Sequence, residues 1–313
     1  MPKNRLHCWL GLLLLGQFTQ FAFGDEPSRF VRTQVGELPI ILSAPHGGKM
    51  VVPDVAVRKG EGLATGSSGF VVDRDTGTEE LAQQIAETIE KRFGKKPYFV
   101  IAQSHRKYLD PNRPPEIAYE DADAKLVYDA YHSALSNSCR EVQQKFHKGL
   151  LLDIHGQGTA KDTVYRGTQN GKTVTLLRER FGEAAQVGES SLFGRLKTYG
   201  WKVHPDPLDD REQAAFRGGY IVQRYGSHQG FGIDAIQLEF GADYRAKNAR
   251  EKTATTLTDA IAEYATEFLD ISLPAQCEKC DSPQAQSKKS VPIQVGDQHG
   301  AGTSKKDEHR RNH

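Results

Sequence analysis

Short apolar runs that end in polar residues or glycine recur along the chain and predict buried β-strands. The run LLLDIHG at residues 150–156 is apolar except for Asp153 and leads directly into His155 and a glycine. Three further runs have the same character: PIILSA at 39–44, YFVIA at 98–102 and AIQLEF at 235–240. Strands that are apolar on both faces are typical of parallel sheets covered by helices on both sides.

Segments with helical periodicity separate these runs. Apolar residues three and four apart predict a helix that begins near Glu79, with Thr76 and Glu79 as a capping box. A long helix is predicted over 120–147, with Leu126 among its inward residues. Two further helices are predicted over 189–199 and 246–268. Alternating strands and helices predict one three-layer α/β/α domain with a largely parallel or mixed central sheet.

Turn chemistry predicts the remaining elements. Asn170-Gly171 lies between two β-prone runs in the segment 163–174 and predicts a hairpin. The segment 201–204 predicts an edge strand. The pair Gly218-Gly219 permits close backbone approach and precedes an expected strand over 220–223.

Composition divides the chain into three parts. A basic start, an apolar run over 10–15 and the small residues Ala22 and Gly24 predict a signal peptide over 1–24, with an uncleaved anchor as the alternative. Residues 25–273 form the predicted domain. Residues 274–313 are polar and nearly free of aromatic residues, which predicts a disordered tail. We therefore expect a secreted or periplasmic protein with no stable membrane insertion after signal cleavage.

Charge and cysteine content narrow the possible partners. The formal net charge of the 313 residues is +1, which gives no argument for nucleic acid or for an anionic membrane surface. Cys139 falls in a predicted helix and is expected to be an inert buried thiol. Cys277 and Cys280 have CxxC spacing without a second ligand pair, so a local disulfide is favoured over a zinc knuckle. Nothing in the composition indicates an oligomeric state.

The candidate chemistry lies at strand ends and helix starts. The carboxyl ends of strands face the ligand crevice of an open α/β sheet, and His46, His155 and Glu239 each lie at such an end. Glu79 lies in the first turn of a predicted helix, where the helix dipole alone would also favour it. Two imidazoles and one carboxylate are the ligands of a catalytic zinc, and a further carboxylate can move protons beside it.

The loop SHRKYLDPNRPP after the strand at 98–102 concentrates cationic residues. A guanidinium with a neighbouring amide binds a carboxylate well, so Arg106, Asn112 and Arg113 are candidate ligands for an acidic substrate group. Solvated surface charge is the alternative, and the loop would have to line the crevice for the binding role to hold.

Six motifs together carry a family resemblance. SAPHGG, DRDTGTEEL, HRKYLDPNRP, DIHG, FRGGYIVQRYG and IQLEFG occur in this order over 39–268. In this combination the chain resembles the N-formylglutamate amidohydrolase family, which is related in fold to the zinc carboxypeptidases and to the zinc-dependent N-acetylmuramoyl-L-alanine amidases. The resemblance implies a zinc-carboxypeptidase-like fold.

The resemblance also implies roles for individual residues. It implies one zinc ion held by His46, by an acidic residue of the DTGTEE segment and by His155, with Glu239 as general base and acid. It implies that Asn112 and Arg113 bind the carboxylate of the substrate. Glu79 is preferred as the acidic ligand, because a glutamate opens the corresponding helix in the amidases. Asp75 and Glu80 remain alternatives.

The expected function is an exported zinc-dependent amidohydrolase. Its substrate would be an N-acyl amino acid, of which an N-formyl amino acid is one case, or a short peptide bearing a carboxylate. A cell-wall peptide amidase or carboxypeptidase is the alternative enzyme, and a non-catalytic carboxylate-binding module is the alternative outside enzymes. Export differs from the cytoplasmic role in histidine breakdown for which the family is known.

Overall fold

The computed structural model describes residues 27–61 and 70–274. The predicted signal peptide, Cys277, Cys280 and the polar tail beyond Pro274 lie outside the described residues. None of the helices in the described part of the chain is long and apolar enough to cross a membrane.

Seven strands form one mixed sheet in the described residues. In chain order they are β1 (Val31–Gln34), β2 (Ile40–Ala44), β3 (Tyr98–Ala102), β4 (Leu150–Gly156), β5 (Thr163–Gly167), β6 (Lys202–His204) and β7 (Asp234–Phe240). Their order across the sheet is β1-β3-β2-β4-β7-β5-β6. The strands β3, β2, β4 and β7 are parallel, whereas β1 is antiparallel to β3 and β5 is antiparallel to β7. The predicted mixed sheet, with β6 at its edge, is confirmed.

The helices of the described residues connect and cover these strands. They are α1 (Thr78–Phe93), α2 (Pro115–Ala118), α3 (Lys125–Phe146), α4 (Thr175–Phe181), α5 (Ala184–Val187), α6 (Leu192–Thr198), α7 (Tyr220–Tyr225), α8 (Ala242–Arg245) and α9 (Arg250–Phe268). The helices expected near Glu79 and over 120–147, 189–199 and 246–268 are found as α1, α3, α6 and α9.

Alternate residues of the central strands enter two separate cores. Leu42 of β2 packs in the core formed with α1, α6 and α9, whereas its neighbour Ile41 packs in the core formed with α3 and α7. The three-layer prediction is therefore confirmed. Because side chains alternate along a strand, Ser43, Asp153 and Gln237 lie on the α3 and α7 face. This face carries the polar residues of the candidate site.

Two predictions, one of a strand and one of a helix cap, are wrong. The segment expected as a strand over 220–223 is helical, because Oδ1 of Asn112 accepts a hydrogen bond from the amide of Ile221 at 2.8 Å in the first turn of α7. The expected capping box of α1 is also absent. That helix begins at Thr78 after Gly77, which has a φ of 91° and makes no side-chain cap bond.

Two further local predictions are wrong. No hairpin forms at Asn170-Gly171, because Glu212 accepts a hydrogen bond from the amide of Asn170 at 2.9 Å and the chain then continues into α4 instead of a partner strand. Leu126 does not point inward, since 61% of it is exposed at the start of α3. The first of these errors comes from a contact with a distant part of the chain.

Candidate metal centre and catalytic site

Three side chains from separate segments converge at the carboxyl ends of β2 and β4. His46 follows β2, His155 lies near the end of β4, and Asp75 precedes α1. Oδ2 of Asp75 lies 3.3 Å from Nδ1 of His46 and 3.4 Å from Nδ1 of His155. One ligand atom from each residue lies within 4.8 Å of the others. In the described residues this is the group of histidine and acidic side chains that could hold a metal ion.

The acidic member of this group is Asp75, which the sequence left as an alternative to the preferred Glu79. Asp75 is fixed by two backbone contacts: its amide donates to the carbonyl of His46 at 2.9 Å, and Oδ2 accepts from the amide of Gly156 at 3.0 Å. Glu79 lies outside the group, and Glu80 pairs with the exposed Lys49. The irregular segment before α1 carries the carboxylate between the histidines, so no glutamate from the helix is needed.

Each histidine is oriented by a second carboxylate. Nε2 of His46 lies 2.6 Å from Oδ1 of Asp110, and Nε2 of His155 lies 2.8 Å from Oδ2 of Asp153. An ionised carboxylate only accepts hydrogen bonds, so Asp110 and Asp153 can each accept the ring proton when it lies on Nε2. The Nδ1 atoms of both rings face Asp75. Histidine ligands of metals commonly have this arrangement.

A buried hydrogen-bond chain supports Asp153. Ser43 donates to Oδ1 of Asp153 at 2.7 Å, and its Oγ lies 2.8 Å from the hydroxyl of Tyr131 on α3. Because Asp153 uses the single hydroxyl hydrogen of Ser43, Ser43 can only accept from the hydroxyl of Tyr131, which also lies 3.4 Å from the carbonyl oxygen of Val100. The chain therefore runs from Tyr131 through Ser43 and Asp153 to His155.

Asp110 is supported by Arg106 in a second buried pair. Nε and Nη2 of Arg106 lie 2.9 and 2.7 Å from Oδ2 of Asp110, and Nη1 lies 3.6 Å from Oδ1 of Asp75. Burial raises the pKa of the Asp110 carboxyl, but His46 and Arg106 outweigh burial and hold this pKa well below its usual range. Asp110 therefore remains an acceptor for the ring proton of His46.

Glu239 lies beside this group. It is the register partner of His155 in the neighbouring parallel strand β7 and is buried. Burial raises the pKa of the Glu239 carboxyl to about 7, with Asp75 and Asp153 adding to the effect. A carboxyl with this pKa can accept a proton and release it again near neutral pH.

The three expected substrate-binding residues differ in their surroundings. Arg106 is buried and its guanidinium contacts Asp110 and Asp75. Asn112 is also buried: Nδ2 lies 3.4 Å from Oε1 of Gln237, and Oδ1 accepts from the amide of Ile221. Arg113 is only partly buried, and its Nη1 donates to the carbonyl of Asn112 at 2.9 Å. The loop contacts the metal group through Asp110 and Asn112, and Arg113 is the most exposed of its three candidates.

The donor set fits zinc. Two imidazole nitrogens and one carboxylate oxygen are the protein ligands of many catalytic zinc sites, which leave a coordination position open. Burial raises the pKa of the Asp75 carboxyl, but His46 and His155 hold it well below its usual range, so the group is ionised. The prediction of a metal centre at His46 and His155 is thus compatible with the geometry, with Asp75 in place of Glu79.

Comparison with protein-family models and with curated protein sequences finds no match. Among solved structures, the chain resembles the N-formylglutamate amidohydrolase from Ralstonia eutropha JMP134, with a TM-score of 0.51 and 15% identity over 76% of this chain and 98% of that chain. Two amidases are less similar. The CwlD amidase from Clostridioides difficile has a TM-score of 0.33 and 15% identity over 73% and 98% of the two chains. The N-acetylmuramyl-L-alanine amidase Ami1 from Mycobacterium abscessus has a TM-score of 0.31 and 11% identity over 72% and 97%.

The likeness to the Ralstonia enzyme shows a shared fold. This fold agrees with the three-layer α/β/α architecture expected from the strand and helix pattern. The N-formylglutamate amidohydrolase resemblance is supported at the level of the fold.

Several residues of the site were not found from the sequence. Ser43 and Gln237 are polar residues within buried strands. Gln237 lies two residues before Glu239 and therefore on the same face of the strand, and this spacing is a signal that could have identified it. Asp110 lies in the DPNRP segment, but nothing in its spacing indicates a partner at His46. Tyr131 is one of several aromatic residues on α3 and carries no distinguishing pattern.

Proposed function

We propose that the protein is a zinc-dependent amidohydrolase that cleaves the amide bond of an N-acyl amino acid or short peptide bearing a carboxylate. The observation that carries this proposal is the convergence of His46, Asp75 and His155 next to Glu239, whose pKa is raised to about 7 by burial. A metal ligand set beside a proton-transferring carboxyl is the arrangement that metal-assisted amide hydrolysis requires.

The protein's own residues would supply binding and proton transfer. When bound at His46, Asp75 and His155, zinc supplies Lewis acidity, which polarises a carbonyl group and lowers the pKa of water. Glu239 takes a proton from the attacking water as the water oxygen bonds to the amide carbon. The same carboxyl then gives this proton to the leaving nitrogen as the C–N bond breaks, and the products are a carboxylic acid and an amine.

Arg113 is the proposed ligand for the substrate's carboxylate. Arg113 is only partly buried, whereas Arg106 is buried and contacts two aspartates. Asn112 would then act by holding the amino end of α7 and the side chain of Gln237 in place. A planar guanidinium binds a carboxylate through two parallel hydrogen bonds, which favours an acidic substrate over its amide.

Metal analysis and a substrate panel test the proposal together. The purified protein should contain one zinc ion per chain and hydrolyse some member of a panel of N-formyl, N-acetyl and other N-acyl amino acids. Arg113→Ala should raise KM far more for carboxylate-bearing substrates than for their amides. Turnover of muropeptides alone would indicate a cell-wall amidase or carboxypeptidase. Carboxylate binding without zinc or turnover would indicate a binding module.

Export is part of the proposal and has its own test. The basic and apolar start of the chain, followed by Ala22 and Gly24, supports a cleaved signal peptide and a secreted or periplasmic location. N-terminal sequencing of the mature protein should give a chain that begins near residue 25. A mature chain that retains residues 1–24 would contradict export by cleavage.

A further inference from the structure

Arg245, the last residue of α8, makes an unusual set of contacts. Its Nε donates to the carbonyl of Phe240 at 3.0 Å and its Nη2 to the carbonyl of Gln157 at 3.1 Å. Its Nη1 donates to the carbonyl of Thr76. No aspartate or glutamate of the described residues forms an ion pair with this guanidinium. All three nitrogens are thus used to bind backbone carbonyls.

The three carbonyls belong to the segments that carry the candidate site. Thr76 follows Asp75, Phe240 follows Glu239, and Gln157 lies two residues after His155. These segments are far apart in sequence, since 169 positions separate Arg245 from Thr76 and 88 separate it from Gln157. A single planar guanidinium therefore contacts the backbone beside the proposed acidic ligand, one proposed imidazole ligand and the proposed proton-transferring carboxyl.

The loss of hydration at Arg245 argues against a role as an ordinary surface charge. Burial lowers the pKa of Arg245, and the charges of Asp75 and Glu239 only partly offset this effect. A surface arginine would keep its hydration, whereas this guanidinium exchanges water for three carbonyls in fixed directions. The planar fork of arginine can satisfy three such acceptors, which the single ammonium of lysine cannot do in the same geometry.

Gly156 leaves the space that the guanidinium occupies. A Cβ built on Gly156 would lie 2.6 Å from Cζ of Arg245, too close for the side chain to stay in place. The nearby Gly158 is different, since a Cβ there would have no neighbour within 4 Å. The glycine next to His155 is therefore matched to Arg245, and Gly158 offers a control.

We propose that Arg245 is a positioning residue that holds the segments of Asp75, His155 and Glu239 in register with one another. It acts through the backbone and does not contact the substrate. The part of this inference that concerns zinc rests on the proposed function, whereas the part that concerns the backbone does not.

Hydrogen–deuterium exchange of the metal-free protein tests the backbone part. In Arg245→Met, amides in 72–80, 155–161 and 239–244 should all exchange faster than in the wild type, with the rest of the sheet unchanged. Gly156→Ala should have the same effect and Gly158→Ala should have none. Arg195→Met is a control, because Arg195 contacts the backbone carbonyl of Ser190 and the carboxylates of Glu263 and Glu267, none of which belongs to the candidate site. Unchanged exchange in the three segments, or a uniform increase across the whole molecule, would overturn the inference.

Zinc affinity and kinetics supply the second readout. Competition with a chelator should show zinc binding at least about tenfold weaker in Arg245→Met than in Arg195→Met, since displaced ligands bind metals poorly. The value of kcat should fall about tenfold or more, with KM changed much less, as a misplaced catalytic group predicts. Arg245→Lys should resemble Arg245→Met; full rescue by lysine would mean that charge alone matters and would overturn the proposal. If the wild type binds no zinc, the proposed function fails, and the exchange experiment still decides the role of Arg245.

Discussion

Gln237 donates a hydrogen bond from Nε2 to Oε1 of Glu239 over 2.8 Å. The amide of Gln237 is itself fixed, because its Oε1 accepts from the backbone amide of Gly219 at 2.7 Å. Gln237 lies two residues before Glu239 on the same face of β7. The orientation of the proposed proton-transferring carboxyl is thus set by a neighbour on its own strand and by the loop before α7.

Replacing Gln237 by methionine should reduce turnover without removing the metal. Methionine has a similar length but no amide hydrogen to hold Glu239, and one such hydrogen bond to a charged group contributes about 1.5–3 kcal/mol. We expect kcat to fall about tenfold to hundredfold while the zinc content stays at the wild-type value. Gln144→Met, at an exposed position of α3, is the control. An unchanged kcat in Gln237→Met would show that Glu239 does not depend on this contact.

The pH dependence of the rate should report the Glu239 carboxyl. Burial raises the pKa of this group to about 7, and the proposed reaction needs its ionised form, so kcat/KM should fall as the pH falls. A bound cation favours the carboxylate, which places the midpoint of the loss at or below about pH 7 in the zinc-loaded protein. Glu239→Gln should lower the rate about 100-fold to 10,000-fold and remove this acidic limb. An acidic limb that persists in Glu239→Gln would assign it to another group.

Metal binding should distinguish Asp75 from Glu79. Asp75 lies between the two Nδ1 atoms, and Glu79 lies outside the group. We expect Asp75→Ala to lose zinc and activity together, whereas Glu79→Gln should retain a full complement of zinc. Atomic absorption on both purified variants, compared with the wild type, measures this difference. Zinc loss in Glu79→Gln alone would restore the choice made from the sequence.

The comparison of Asp75 with the two histidines shows where sequence patterns carry information. His46 follows the apolar strand β2 and His155 lies near the end of β4. Parallel strands end on the same side of a sheet, so the convergence of these two residues could be predicted. Asp75 lies in an irregular segment whose path depends on a bond to the carbonyl of His46. An irregular segment has no periodic pattern from which its path could be predicted. The sequence could therefore only narrow the acidic ligand to Asp75, Glu79 or Glu80.

The same reasoning explains the errors in the fold. The central strands are continuous apolar runs and the long helices have helical periodicity, and both kinds of element were predicted within about five residues. The residues after Tyr220 are compatible with a strand as well as with a helix. The hydrogen bond from the amide of Ile221 to Oδ1 of Asn112 stabilises the first turn of a helix. No sequence pattern indicated the proposed role of Arg245. Its side chain binds three backbone carbonyls, and backbone carbonyls are present whatever the sequence.

The support of His155 by Asp153 should appear as metal affinity. Asp153→Asn removes the acceptor charge that holds the ring proton on Nε2, and loss of such a partner typically weakens zinc binding about 10-fold to 100-fold. Tyr131→Phe removes only the far end of the hydrogen-bond chain and should have a smaller effect in the same direction. Chelator competition measures both, with Asp123→Asn at an exposed position as control. Equal zinc affinity in Asp153→Asn and the wild type would contradict a supporting role.

Asp234, at the start of β7 and away from the metal group, should make stability depend on pH. Burial raises the pKa of its carboxyl to about 6, above the value of about 4 in an unfolded chain. The group is protonated in both states below about pH 4, so its ionisation destabilises the fold increasingly as the pH rises from about 4 to about 6, by about 1–3 kcal/mol in total.

Replacing Asp234 by asparagine should remove this pH dependence. The asparagine side chain is neutral throughout the range and keeps an oxygen for the amide of Leu177, which lies 3.3 Å from Oδ1 of Asp234. Asp234→Asn should therefore be more stable than the wild type at neutral pH, and this advantage should vanish near the unfolded-chain pKa of about 4. Urea unfolding of the metal-free proteins across this pH range measures the difference, with the exposed Asp209→Asn as control. A variant that is less stable at neutral pH would mean that the ionised carboxylate contributes more through its hydrogen bonds than burial takes away.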